Sequence, residues 1–290
     1  MGDASTVEDL QPGDHACLTF TDPQERLDIV AAFVRDGLKA DQRVLCLTEA
    51  ISDGHLLGEL NRRGLAASGA AGGGQLTVTG SAQMFLPDGT FAASRMLEGL
   101  RTEIDRARQD GYRGLRITSD MCWALRPVQG IAELMEYESR FAQLLAEQQA
   151  TSVCQYDRQC FDTVTLASVV DVHAFTVAAV TYHDDALLRI CRQYVPTGVR
   201  VAGEIDYRAI EPLTRALTEA LGLDDHIEVN LVDLRFIDAV AAGVLLQAAL
   251  GMAPDQRMTV RCRRSVYKVL DVLGAREVSG VRMMAVGDDE

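Results

Sequence analysis

The chain has 290 residues, of which 48% are hydrophobic and 24% are charged, with a formal net charge of −14. This length accommodates about two domains, each able to bury its own core. The acidic balance argues against a large nucleic-acid footprint, which needs a basic face to displace counterions from phosphates. No apolar run reaches the roughly 18 residues that a membrane-spanning helix needs.

The cysteines and histidines give no sign of a metal or disulfide framework. The seven cysteines include no CxxC pair, so neither a zinc module nor paired disulfides is indicated, and a reducing, cytoplasmic location is favoured. The five histidines, at positions 15, 55, 173, 183 and 226, show no metal-ligand spacing. We therefore expect no metal, no cofactor and no catalytic site. Cys17, Cys46 and Cys154 stand in apolar strands and are expected to be buried and inert.

The first half of the chain alternates strands with amphipathic helices. Residues 13–20, GDHACLTF, are typical of a strand, and Asp22, Pro23 and Glu25 then supply an N-cap, a first-turn proline and an acid. Further strands are predicted over residues 43–47, 75–79, 114–118 and 153–156. Residues 68–74 are predicted as a loop, and helices are predicted over 96–104 and 131–145. This order predicts a parallel α/β sheet.

Several spaced motifs in this half carry a family resemblance. They are GDHACLTF with its capped helix, GYRGLRIT running into Trp123, Glu136-Tyr137-Glu138, and CQYDR at residues 154–158. Together they resemble the MEDS family of sensory domains, which is related to the RecA-like and KaiC-like ATPases. The resemblance covers roughly residues 10 to 182. It implies a RecA/KaiC-like parallel sheet and a sensor of a ligand or signal, and it does not identify the ligand.

The kinship with ATPases can be checked on the first strand-to-helix loop. A phosphate-binding P-loop needs the pattern GxxxxGK[ST], whose backbone N–H groups and lysine hold the phosphates. Residues 20–25, FTDPQE, contain neither glycine nor lysine, and Pro23 removes one N–H donor. Nucleotide hydrolysis is therefore not expected at this loop, and the protein is not expected to be an enzyme.

Candidate ligand-binding residues follow from the ends of the predicted strands. Ligands in open α/β sheets bind in the crevice at the carboxyl ends of the strands. The residues that this rule selects are Glu49, Asp120, Trp123, Tyr156, Asp157 and Arg158. Asp14 and His15, where the first strand begins, form a further candidate pair. A structural role stays open as the alternative for each of them, such as a strand-end cap or a surface salt bridge.

The second half begins near Asp184, which separates a predicted first domain over 10–183 from a second over 184–290. Strands are predicted over 187–194, 199–205 and 258–261, and helices over 206–221 and 265–274. Between them, residues 228–250, EVNLVDLRFIDAVAAGVLLQAAL, are typical of a buried strand, an acidic turn and an alanine-rich helix. Asp238 stands where the N-cap of that helix would be.

This order resembles the STAS domains of bacterial anti-sigma-factor antagonists across residues 187 to 284. The resemblance implies a mixed sheet covered by helices on one face. In that family a serine after the aspartate accepts phosphate from a serine kinase that also inhibits a sigma factor. Ala239 holds that position here and has no hydroxyl, so no phosphorylation is expected. The partner-binding residues that the resemblance implies are Asp238, Ala239, Val240 and Gly243.

These features predict a cytoplasmic signalling and transcription regulator. Its first domain senses a small molecule or another signal, and its second binds an anti-sigma factor or a serine kinase of the sigma-regulatory type. The alternative is a STAS scaffold that does not switch, within a larger signalling complex. A homo-oligomer is compatible with both. Neither nucleic acid nor a membrane is expected as a partner.

Overall fold

The computed structural model describes residues 5–287, and the chain divides between Ala178 and Ala179 into two compact units. Each unit has its own sheet and its own apolar core. The division lies a few residues before the Asp184 that the sequence suggested. The reason is that the strand Thr181–Asp184 pairs with the second sheet.

Six parallel strands form the sheet of the first unit. They are β1 (His15–Phe20), β2 (Arg43–Thr48), β3 (Leu76–Gly80), β4 (Leu115–Asp120), β5 (Thr151–Asp157) and β6 (Phe175–Val177). Their spatial order is β3-β2-β4-β5-β1-β6, and every neighbouring pair is parallel. The parallel α/β sheet predicted from the sequence is thus confirmed, and β6 is added to it.

Seven helices accompany these strands in the described part of the first unit. They are α1 (Pro23–Lys39), α2 (Asp53–Arg62), α3 (Ala67–Gly72), α4 (Ser81–Phe85), α5 (Ala93–Gln109), α6 (Leu134–Gln148) and α7 (Thr163–Val172). The Asp22 side chain caps α1 as predicted. Helix α3 corrects the prediction of a loop over 68–74, because the alanines of that segment favour a helix despite its glycines.

The second unit contains a mixed sheet of seven strands among its described residues. They are β7 (Thr181–Asp184), β8 (Leu188–Tyr194), β9 (Thr197–Ile205), β10 (His226–Leu231), β11 (Leu234–Ile237), β12 (Arg257–Arg263) and β13 (Val281–Val286). The order is β13-β12-β10-β9-β8-β7, with β11 also paired to β9. Strand β8 is antiparallel to both neighbours, whereas β9, β10, β12 and β13 run parallel.

Three helices, α8 (Ile210–Leu223), α9 (Ala239–Leu250) and α10 (Arg264–Val272), cover this sheet. Because α8 packs on α9 and α9 packs on α10, the three helices form one layer. Leu217, Leu245 and Leu270 from this layer share a core with Val201 and Val229 from the strands. No helix among the residues 5–287 has the length and apolar character that a membrane crossing requires.

The stretch 229–236 is two strands rather than the single buried strand expected. The side chain of Asn230 accepts a hydrogen bond from the backbone N–H of Val232 (3.1 Å) and turns the chain after β10. Strand β11 then pairs with β9 instead of extending β10. As a result, Phe236 is 52% exposed and lies outside the core in which the sequence placed it.

Candidate functional site

A buried ion pair closes the carboxyl edge of the first sheet. Arg26 on α1 places Nη2 at 2.7 Å from Oδ2 of Asp120, which ends β4. Its Nε donates to Oε1 of Gln155 on β5 at 2.6 Å. The Asp120 carboxylate also accepts from the backbone N–H groups of Ala50 (2.9 Å) and Cys122 (3.0 Å). These contacts lie in the crevice in which the strand-end rule predicts a ligand.

The space left at this edge is small. A cavity of about 10 Å³ lies beside Arg26, Thr118 and Gln155, which is room for about one water molecule. Burial alone would raise the pKa of Asp120. The Arg26 guanidinium and the two backbone donors outweigh burial, and they hold that pKa below its usual value of 3.8. Asp120 is therefore a charged structural anchor at neutral pH.

Three of the other residues predicted at this edge have local partners. Trp123 is fully buried and stacks on Phe85 with ring centroids 4.6 Å apart. Glu49 forms an ion pair with Arg126. The Asp157 carboxylate accepts from the backbone N–H of Gln159 at 2.8 Å, and Arg158 is exposed.

Asp14 also has a local partner, since its carboxylate accepts from the backbone N–H of Gln11 at 2.7 Å. These contacts favour the structural alternative for Asp14, Trp123, Glu49 and Asp157. Asp14 and His15 therefore do not act as a pair, because the side chain of His15 is buried in the interior.

The backbone N–H groups that follow β1 are hydrogen-bonded within the start of helix α1. Oδ1 of Asp22 accepts from the N–H groups of Gln24 (2.8 Å) and Glu25 (3.1 Å). In a P-loop such N–H groups would be directed at phosphate oxygens. In this chain the N–H groups of Gln24 and Glu25 donate instead to Asp22, within the first turn of α1.

A second group of polar side chains is buried between the first sheet and the helices α6 and α7. His15 is in register with Ser152, and Cys17 with Cys154, so His15, Cys154 and Tyr156 point to one face of β1 and β5. Glu138 from α6 and His173, directly after α7, complete the group. We call His15, Glu138, Cys154 and His173 the buried cluster. Each of its members is less than a tenth exposed.

The distances within the buried cluster are short. Nε2 of His15 lies 3.4 Å from Oε2 of Glu138 and 3.4 Å from Sγ of Cys154. Nε2 of His173 lies 3.8 Å from the same Glu138 oxygen, and the rings of His15 and His173 are 4.0 Å apart between centroids. One donor atom from each residue can be chosen so that all four lie within 4.8 Å of one another.

Hydrogen bonds around the buried cluster orient its members. The Tyr156 hydroxyl donates to Oε1 of Glu138 at 2.8 Å, and Nδ1 of His173 lies 2.8 Å from the carbonyl oxygen of Val169. Because a carbonyl only accepts, Nδ1 carries the proton and Nε2 presents its lone pair to the cluster. Oε2 of Glu138 and Nε2 of His173 have no hydrogen-bond partner among the described residues.

Burial governs the protonation of these groups. It lowers the pKa of His173 to about 4 and the pKa of His15 well below 6.5, so both imidazoles are neutral at pH 7. Burial also raises the pKa of Glu138 to about 7, an increase that the Tyr156 hydrogen bond reduces. It raises the pKa of the Cys154 thiol well above 9.0. The cluster thus combines two neutral imidazoles, a thiol and a carboxyl group with no cation among these groups.

Sequence reasoning named His15 and Tyr156 but did not place them together. It missed Glu138 and His173, and it treated Cys154 as an inert thiol. The positions lie far apart in the chain, so no spacing rule connects them. A signal was nevertheless present, because GDHACLTF, Glu136-Tyr137-Glu138 and CQYDR supply three of the four members.

In the second unit, Asp238 joins two loops at the start of α9. Its Oδ1 accepts from the backbone N–H of Ala241 at 2.7 Å, which confirms the predicted N-cap. Its Oδ2 accepts from the N–H of Tyr207 at 2.9 Å. Ala239 and Val240 are exposed, and Gly243 is half-buried one turn along the helix.

Apolar side chains surround this helix start. Tyr207, Phe236 and Val240 are 57%, 52% and 52% exposed. We call these three residues, with Asp238 and Ala239, the α9 face. A groove of about 210 Å³ adjoins it, lined by Leu187 and Phe236 on its apolar side and by Asp206 and Arg208 among its charged groups.

The first unit is thus a parallel α/β domain with a buried ion pair at the carboxyl edge of its sheet and a buried polar cluster. The MEDS family, described as the MEthanogen/methylotroph, DcmR Sensory domain, matches residues 14–174, more than half of the chain. The chain therefore belongs to the MEDS family, and the first resemblance is confirmed. The resemblance of the second unit to STAS domains stays a prediction.

The proteins similar to this chain include a transcriptional repressor and an archaeal protein of known structure. The transcriptional repressor DcmR of Methylorubrum extorquens is 28% identical over 171 residues, which are 58% of this chain and 61% of the repressor. The chain thus spans about three fifths of that relative. A KaiC-like protein from Pyrococcus horikoshii aligns with a TM-score of 0.46 and 12% identity, covering 63% of this chain and 78% of that one.

Proposed function

We propose that this chain is a signal-responsive regulator of transcription. Its MEDS domain senses a small molecule or another signal, and its second domain, of STAS type, binds an anti-sigma factor or a serine kinase of the sigma-regulatory type. Membership of a sensory family carries the first part of this proposal. The repressor named among its relatives supports an output in transcription.

The α9 face is the proposed docking surface for the protein partner. Asp238 holds the start of α9 and the loop at Tyr207 in a fixed relation through two hydrogen bonds. The exposed apolar side chains around it can be desolvated by a partner, as the buried centres of interfaces are. The mixed sheet with one helical layer supports the STAS assignment, because it is the architecture that the resemblance implies.

The docking proposed here is not switched by phosphate. Ala239 lies exposed directly after the cap, where a serine hydroxyl would be accessible to a kinase, and it has no hydroxyl. The protein is also proposed not to be an enzyme, since the loop after β1 lacks the lysine and the free N–H groups that phosphates need.

Binding to purified anti-sigma factors and serine kinases of the sigma-regulatory type, measured by calorimetry, tests the docking face. Ala239→Asp adds a carboxylate that the helix N-terminus tolerates but that a partner must desolvate. Affinity should fall at least about tenfold, equivalent to roughly 1.4 kcal/mol. Leu250→Asp is the matched control, because Leu250 is 71% exposed at the far end of the same helix. Equal affinities for wild type and Ala239→Asp, with the fold intact, would place the interface elsewhere.

A scaffold that does not switch is the second candidate function, and the missing hydroxyl of Ala239 favours it. A scaffold should form the same assembly whether or not a signal is present. Size-exclusion chromatography of the partner complex, with and without the candidate signal, separates the two functions. A change of assembly size with the signal supports the regulator.

A further inference from the structure

We propose that the buried cluster of His15, Glu138, Cys154 and His173 is a binding site for one divalent transition-metal ion of the zinc class. The four residues offer two imidazole nitrogens, one sulfur and one carboxylate oxygen. Zinc is bound by these donor types, and thiolate with imidazole disfavours magnesium and calcium. The proposal goes beyond the sensing and docking functions above, because neither of them names a metal.

The separations between the ligand atoms suit a tetrahedral ion. Bonds of about 2.0–2.3 Å in a tetrahedron separate neighbouring ligand atoms by roughly 3.3–3.8 Å. The separations from His15 to Glu138 and to Cys154 are both 3.4 Å, and the separation from His173 to Glu138 is 3.8 Å. The remaining separations do not exceed 4.8 Å, so the widest of them would shorten by up to about 1 Å to reach the tetrahedral range.

The hydrogen bonds around the cluster leave two of the four metal-facing atoms without a partner among the described residues, and the other two contact each other. His173 donates its Nδ1 proton to the Val169 carbonyl, which is the outer-shell contact that metal-bound histidines usually make. Tyr156 occupies one oxygen of Glu138 and leaves the other without a partner. Buried polar atoms normally have hydrogen-bond partners. Two such atoms, Nε2 of His173 and Oε2 of Glu138, instead face one another across the cluster.

The electrostatics of the cluster favour a cation. A neutral imidazole binds metal through its unprotonated nitrogen, and the hydrogen bond from Nδ1 of His173 to the Val169 carbonyl leaves Nε2 as that nitrogen. A divalent ion would compensate the charges of the carboxylate and of the thiolate that metal binding generates. All four ligands come from the protein, which is typical of closed structural sites rather than catalytic ones.

Such an ion would connect four separate elements of the first unit. His15 begins β1, Glu138 lies in the second turn of α6, Cys154 is within β5, and His173 follows α7. Release of the ion would free α6 and the end of α7 from the sheet at one point. Occupancy of the site would then be coupled to the arrangement of these helices.

Cobalt titration of the full-length chain, freed of metal by a chelator, tests the proposal directly. One equivalent of Co²⁺ should produce the intense visible bands of tetrahedral coordination together with a sulfur-to-cobalt charge-transfer band. Zn²⁺ should displace the cobalt and abolish both features, whereas excess Mg²⁺ should not. Weak octahedral bands only, or no saturation at one equivalent, would overturn the site.

Two pairs of variants assign the ligands. Cys154→Ser should remove the charge-transfer band, and Cys17→Ser should retain it, although Cys17 is in register with Cys154 on the neighbouring strand. His173→Gln should weaken Co²⁺ binding at least about 100-fold, since changes in the outer shell alone weaken binding about 10- to 100-fold. His55→Gln, at an exposed histidine, should leave binding unchanged. Unchanged spectra and affinity in both Cys154→Ser and His173→Gln would refute the assignment.

Thermal unfolding of the wild-type chain keeps the test decisive if these variants do not fold. An ion that binds the folded state raises the melting temperature as its concentration rises. Zn²⁺ should therefore raise the melting temperature relative to the chelated protein. An unchanged melting temperature at saturating Zn²⁺ would overturn the proposal. The Ala239→Asp comparison changes no residue of the buried cluster, so the metal proposal and the docking proposal can fail separately.

Discussion

At the scale of single residues, the Arg26–Asp120 ion pair leads to a stability prediction. Both side chains are nearly inaccessible to solvent, at 7% and 0%. Asp120→Asn removes the negative charge and leaves the buried guanidinium uncompensated, which typically costs about 3–5 kcal/mol. Urea denaturation of the variant should show a loss of this size.

A matched exposed pair provides the control for that measurement. Asp88 and Arg95 form an ion pair with a distance of 2.9 Å, and both side chains are more than a third exposed. Exposed pairs contribute little to stability, so Asp88→Asn should leave the denaturation midpoint nearly unchanged. Equal losses in both variants would mean that burial does not govern the Arg26–Asp120 interaction.

The same carboxylate predicts a dependence on pH. The folded state lowers the pKa of Asp120 below 3.8, so its contribution to stability is present above that pH and is lost as pH falls through the folded pKa. The difference in unfolding free energy between wild type and Asp120→Asn should therefore be constant near neutral pH and shrink below about pH 4. Urea titrations at a series of pH values measure it, and a difference that grows in acid contradicts the expected sign.

The sequence alone identified some of the residues in the candidate site and missed others. The rule of strand ends selected Asp120 and Tyr156, and both have buried polar partners in the fold. Arg26, Glu138 and His173 were missed, because a polar residue on a helix or directly after one gives no sign that its side chain turns inward. Their partners lie 94, 18 and 35 residues away in the chain, a range that local patterns do not cover.

At the scale of elements, local patterns were sufficient wherever caps and periodicity agreed. Helix α1 starts at its predicted Pro23, β8 begins one residue later than predicted, and β12 extends its predicted range by one residue at its start and two at its end. The failures have physical causes. Strand β11 depends on pairing with β9 across the chain, and α3 forms in a segment whose glycines suggested a loop.

One glycine in β9 leads to a prediction about the second sheet. Gly203 has a φ of +102°, and a Cβ at this position would lie 1.9 Å from the carbonyl oxygen of Leu187. Gly203→Ala should therefore distort the junction between β8, β9 and β11. A non-glycine residue forced into such a conformation costs about 1–3 kcal/mol, and the clash adds to this. Denaturant unfolding of the second unit should show the loss.

Gly243→Ala is the matched control for the glycine prediction. Gly243 lies inside α9, and a Cβ there would meet nothing within 4 Å. Alanine is favoured over glycine in a helix by up to about 1 kcal/mol, so this substitution should preserve or raise stability. Destabilisation by both substitutions to the same extent would show that backbone conformation at Gly203 is not the cause.

At the scale of the whole molecule, the family of the first unit was easier to predict from the sequence than the boundary between the two units. The first unit belongs to a family whose motifs were visible in the chain. The position of the boundary was less evident, because β7 is only four residues long and its pairing with β8 is a tertiary contact. Charged and turn residues suggested a boundary near Asp184, and this segment connects the paired strands β7 and β8.

The boundary can be tested with fragments that begin at different residues. A fragment of residues 179–290 keeps β7, whose Tyr182 is part of the second core and stacks under Arg215 of α8 with 5.6 Å to the ring centroid. A fragment of residues 185–290 loses β7 and exposes β8 as an edge strand. The shorter fragment should be less stable by about 2–4 kcal/mol, the scale of removing a large core side chain.

A third fragment controls for length. Residues 175–290 add β6, which pairs with β1 of the first sheet and has no strand partner in the second among the described residues. This fragment should unfold with the stability of residues 179–290, because its extra strand lacks a sheet to join. Urea denaturation followed by circular dichroism compares all three. Equal stability of the fragments starting at 179 and 185 would return the boundary to Asp184, and a large gain from residues 175–178 would move it toward β6.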